Sequence, residues 1–170
     1  MSLKDKLLQH KETTEAAQKK IEAKWLTWIS AVEALMHFIE NTVDDAVKAN
    51  VLTKQKTPME ISDEFLGKTF NLPQLVLIAN GVGVQIQVAT QRWAEKGGHV
   101  EVQGGAVAGR KHVLTWDGAG QSPANWTISS APAGMVASSV SSPGRIGVQQ
   151  NPLTREALEE ALSEHLGLGR

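Results

Sequence analysis

One helical stripe near the N-terminus constrains this chain more than any other feature. Ile21, Trp25, Trp28, Val32, Leu35 and Ile39 recur at alternating spacings of four and three, and Thr42, Ala46 and Ala49 continue the rhythm with weaker residues. Ile29, Met36 and Val43 form a second row beside them. On an α-helix this repeat puts all of these side chains on one side. Such a helix must lie against a large apolar surface. Its stripe is broad, which suits packing on a sheet or in a bundle better than the narrow seam of a two-stranded coiled coil.

The stripe starts at Ile21, whereas residues 1–20 are polar and charged apart from Leu3, Leu7 and Leu8. A helix from about Thr13 to Asn50 would be roughly 55 Å long at 1.5 Å per residue. That exceeds the diameter of a domain of this size, so its polar first turns either project into solvent or meet a second chain. Thr57-Pro58-Met59-Glu60 then reads as a second helix start, with Thr57 as cap, Pro58 in the first turn and Glu60 closing a capping box. Ile61, Phe65 and Leu66 would be its buried side and Gly67 its stop, with a strand as the alternative.

From Pro73 the period becomes twofold. Leu75–Ala79, Asn80-Gly81 and Val82–Thr90 read as a hairpin, because Asn-Gly favours the type I′ turn that matches strand twist. His99–Gln103, Lys111–Asp117 and Trp126–Ser130 supply three further strands, separated by Gly-rich turns. Short strands joined by brief turns predict an antiparallel meander. One face is apolar (Val84, Ile86, Val100, Val102, Leu114, Trp116, Trp126 and Ile128), and the long helix can cover it.

Residues 131–150 are rich in Ala, Ser, Gly and Pro and read as a mobile segment, with a short edge strand near Arg145–Gln149. An amphipathic helix, Leu153–Leu166, follows, with Leu158, Leu162, His165 and Leu166 as its stripe and Gly167 as its end. The expected class is therefore α+β: a long N-terminal helix on an antiparallel sheet of about five strands, with a C-terminal helix. The expected division is a helix-plus-sheet domain at 1–130, a flexible segment at 131–150, and a helix at 151–170 docking on the same domain.

The net charge of −1 supplies no global field for nucleic acid or anionic lipid. With no cysteine, disulfide frameworks, thiol catalysis and Cys-based metal sites are excluded. The opening Met1–Lys6 has no apolar signal-peptide core, and no apolar run approaches the roughly 20 residues of a membrane span. A soluble cytoplasmic protein without membrane association is the expectation.

Chemical motifs are sparse. His99 and Glu101 share a strand face, but His112 has the parity of Leu114 and Trp116, and the longer cupin-type histidine motif is missing. Glu33, His37, Glu40 and Asp44 cluster on the long helix without the repeated Glu-x-x-His of a two-metal bundle. The serines at 129, 130, 138, 139, 141 and 142 lack a nucleophile elbow, and the glycines at 81, 83, 104, 105 and 109 open no phosphate-binding helix. No metal or cofactor is expected. Arg92, Trp93, Lys96, Arg110, Lys111 and His112 could hold a single strand of nucleic acid, but Glu95, Glu101 and Asp117 dilute their charge.

Two groups remain. Trp25, Trp28, Trp116 and Trp126 fall on the facing surfaces of helix and sheet, as core or as the lining of an apolar ligand pocket. Gln85, Gln87, His99, Glu101 and Gln103, with Asn125, Thr127 and Ser129, give the other sheet face a mostly uncharged hydrogen-bonding character suited to a partner surface or a polar cleft. The expected function is a non-enzymatic protein-interaction module of adaptor, inhibitor or chaperone-like type, self-associating as a homodimer through helical surface. A small-molecule-binding protein or small enzyme with its pocket between helix and sheet is the alternative.

Overall fold

The computed structural model describes residues 1–89, 98–140 and 148–168. Its architecture is α+β: one antiparallel sheet with a long N-terminal helix and a C-terminal helix packed into a common core. Among the described residues no helix is long and apolar enough to cross a membrane.

Helix α1 spans Leu3–Lys48, ten residues earlier than the expected start at Thr13. Ser2 caps it. The Ser2 Oγ accepts from the Asp5 N–H at 3.2 Å, and the Asp5 carboxylate accepts from the Ser2 N–H at 2.9 Å. This reciprocal box satisfies donors that a helix start otherwise leaves unpaired. The apolar stripe marks where the helix is buried, not where it begins. Once nucleated on the core, a helix propagates through Lys, Gln, Glu and Ala without needing further burial.

Among the described residues seven strands follow in sequence order across the sheet, each antiparallel to the next. They are β1 (Thr53–Asp63), β2 (Lys68–Ala79), β3 (Val82–Val88), β4 (His99–Gly104), β5 (Arg110–Trp116), β6 (Trp126–Pro132) and β7 (Asn151–Pro152). The expected count of about five lacked β1 and the two-residue β7. Thr57–Glu60 is not a helix start, because it lies inside β1 and pairs with Gln74–Asn71 of β2. Cross-strand pairing over the whole of β1 outweighs the local capping signal. The Asn80-Gly81 turn is as expected, with φ of 52° and 78° at its two central residues.

The β1–β2 ribbon extends past the end of β3. Leu75–Ala79 of β2 pair with β3, while, among the described residues, 68–74 pair only with β1. The overhang runs beside α1. Lys54 and Lys56 reach Glu40 at 2.6 and 2.8 Å, and further along Asp63 accepts the Trp25 indole N–H at 2.7 Å.

The other face of the sheet carries a smaller cluster. Ala137 and Val140 of α2 (Ala137–Val140) are buried with Val113 and Ala131, and Met135 and Val148 pack beside them. Part of the segment read as mobile thus buries side chains, because small residues let its backbone approach the sheet. Helix α3, Arg155–His165, is capped by Thr154 and buries Leu158, Ala161, Leu162 and His165. Thr90 and the first part of the 145–149 edge strand lie outside the described residues.

Candidate interaction surfaces

The four tryptophans fill the helix–sheet interface with their own rings. Trp28 is 2% exposed, with ring centroids 5.5 Å from Trp116 and 5.8 Å from Trp126. A Cβ added at Gly98 would come within 2.4 Å of the Trp28 ring, so that strand entry is shaped around the indole. Trp25 stands apart toward the ribbon, stacked on Phe70 at 4.8 Å and 10°. Trp116 donates to the Gly120 carbonyl, while the Trp126 indole N–H is buried without a partner among the described residues.

The polar residues of the second face are brought together but largely occupied by one another. Gln85 donates to Gln87 at 2.9 Å. Glu101 and Lys111 form an ion pair at 2.5 Å, with only 15% and 6% of their side chains exposed. His99 is buried rather than solvated, and its Nδ1 lies 3.2 Å from the Thr115 hydroxyl. Burial holds its pKa below the ordinary value against the pull of nearby Glu101. Gln103 borders a shallow depression with Gln85, Gly83 and Val76. Asn125 instead caps a turn before β6 and donates to Asp117. The Thr127 and Ser129 hydroxyls are buried without partners among the described residues.

Other sequence groupings are dispersed. His112 lies across the sheet from Lys111, and Arg110 donates to the Ser130 hydroxyl. Arg92, Trp93, Glu95 and Lys96, like Ser141 and Ser142, lie outside the described residues. On α1, Glu40 accepts from two lysines and Asp44 pairs with Lys48. Burial pushes the Glu40 carboxyl up, but hydrogen bonds and charge from Lys54 and Lys56 outweigh it and hold the pKa down.

Two histidines that sequence spacing kept apart meet in the fold. His112 Nδ1 lies 3.0 Å from His165 Nε2, and His165 Nδ1 lies 2.8 Å from the Gly104 carbonyl oxygen. That oxygen can only accept, so His165 donates through Nδ1 and, when neutral, accepts through Nε2 from His112. Burial, with the His165 and Arg110 charges, holds the His112 pKa low against Glu164. The pair fastens α3 to the β4–β5 turn, where the Ala106 N–H also donates to the His165 carbonyl at 2.6 Å. The parity of His112 and the stripe position of His165 were both legible, but their contact was not.

The remaining surface is the start of α1. Its 46 residues make a rod of about 69 Å, and the first buried side chain is Trp25. The ribbon accompanies the rod only as far as its tip, where Gln18 donates to the Phe65 carbonyl. Beyond that tip Leu3 and Leu7 are 73% and 61% exposed, and Phe65 at the tip is 52% exposed.

No family model, curated protein or solved structure matches this chain. Its own geometry carries the functional reading.

Proposed function

We propose that this protein is a non-enzymatic interaction module whose contact element is the part of α1 that overhangs the sheet. One observation carries the reading. The side of α1 that faces the core at Trp25, Trp28 and Val32 continues through the half-buried Ala17 and Thr14 to Leu7 and Leu3, which are exposed. The seam is built as a helix and stopped by its own capping box, although it contributes nothing to the protein's core. A capped rod with an exposed apolar seam is the geometry by which a helix enters a partner's groove or bundle. Packing among the tryptophans supports a structural role for them rather than a pocket role.

A photoreactive phenylalanine analogue replacing Leu7 in the host cell tests this. A discrete crosslinked species is expected at position 7, and it should vanish when Leu3→Asp is added. Uniform absence of adducts at positions 3, 7 and 14 would end the proposal.

A further inference from the structure

We infer that the overhanging face of α1 takes an amphipathic helix with acidic flanks, an inference that rests on reading this arm as the interaction element. The seam runs Leu3, Leu7, His10, Thr14 and Ala17 at alternating spacings of four and three. Helical geometry places Lys4 and Lys11 along one border of this seam and Lys6 along the other, with Lys20 continuing that second border past the ribbon tip beside the partly buried Ile21. Asp5 and Glu12 fall on the opposite side of the rod. Glu15 lies further round and reaches Lys11 only at 3.9 Å, in an exposed pair of small value. Both borders of the uncovered seam are therefore basic, although the whole chain is slightly acidic.

That charge pattern selects among occupants. A second copy packed in parallel would set Lys6 of one helix beside Lys11 of the other. Antiparallel packing would set lysines against lysines along the same border. Like charges beside an apolar seam disfavour association and choose partners by exclusion. An anionic bilayer would satisfy the lysines, but His10 and Thr14 interrupt the broad apolar face that lies in a membrane interface. A helix carrying Glu or Asp at its flanking positions satisfies both borders and meets Leu3 and Leu7 with its own apolar row.

The test uses the full chain and two synthetic three-heptad peptides, both with Leu at the seam positions, one flanked by Glu and the other by Lys. Fluorescence anisotropy should show the Glu peptide binding at least roughly tenfold more tightly, with the difference shrinking at high salt. The triple variant Lys4→Glu, Lys6→Glu, Lys11→Glu should reverse that order while circular dichroism shows unchanged helix. Equal binding of both peptides, or an unchanged order in the triple variant, overturns the acidic-helix inference. So does a dimer dispersed by Leu7→Asp, which makes the occupant a second copy and leaves the arm as the interaction element. Tighter binding to phosphatidylglycerol vesicles than to either peptide overturns both readings, as does failure of both peptides together with absence of crosslinks.

Discussion

Pro58 and Pro73 stand opposite each other across the β1–β2 ribbon, and at this pair the ribbon changes the face it turns toward α1. On the sheet side of the pair, Lys54, Lys56, Leu75 and Leu77 face the helix; beyond it, Ile61, Asp63, Phe70 and Leu72 do. Strict alternation across a continuous register would not put both sets on one side. Neither proline donates to the ladder, and each holds φ near −65°, so the two-stranded ribbon twists strongly there and wraps the helix.

The same proline guards an edge. β1 is an outermost strand of 11 residues. Pro58→Thr should restore a donor on this edge and promote strand-to-strand association. Light scattering at rising concentration should then show species larger than those of the unchanged protein. Identical mass profiles would assign the edge's protection to its lysines instead.

Burial along α1 predicts a sharp contrast. Leu35 is 2% exposed and Leu26 57%. Leu35→Ala should cost about 2–5 kcal/mol in urea unfolding, and Leu26→Ala less than about 0.5 kcal/mol. Equal effects would contradict the orientation of the helix.

Removing one partner of the Glu101–Lys111 pair should cost more than removing both. Glu101→Gln leaves a buried ammonium unpaired, a loss of about 3–5 kcal/mol. The double variant Glu101→Leu, Lys111→Met should recover most of it. A double-mutant cycle with additive losses would refute a buried, coupled pair.

Gly105 and Gly109 share positive φ values of 76° and 74° but differ in surroundings. A Cβ at Gly105 would collide with the His165 carbonyl oxygen, whereas none of the described residues comes within 4 Å of one at Gly109. Gly109→Ala should cost only the left-handed backbone penalty of about 1–2 kcal/mol. Gly105→Ala should cost clearly more and loosen α3, visible as faster amide exchange at Leu162 and His165.

Acid should destabilise the fold through His99 and His112. Burial lowers both pKa values from 6.5, so the folded state favours the neutral rings. Stability is then complete above the unfolded value and falls as pH drops below it toward the lowered folded values. Urea midpoints should decline between pH 7.5 and 5, and His112→Gln should flatten that slope. A midpoint that rises on acidification would reverse the assignment.

Local physics made the elements legible. The stripe from Ile21 to Ile39, the Asn80-Gly81 turn and the alternation in β3 each report a period or a turn chemistry, and neighbouring residues suffice to set these. The Ser2 and Asp5 box was equally local, but it precedes polar residues, where apolar periodicity carries no signal. Thr57–Glu60 misled because the same residues satisfy a helix cap in isolation and a strand when β2 lies alongside.

The sequence by itself determined the faces: which side of α1 is apolar, that His112 shares its face with Leu114, and that lysines border the leucines of the arm. Only the tertiary structure decided what each face meets. His112 finds His165 across 53 positions of chain, and Asp63 finds Trp25 across 38, while Leu3 and Leu7 stay exposed because the ribbon turns back at Phe65. Periodicity is a property of a single element. Contact depends on where other elements stop, and that is set by the packing of the whole chain.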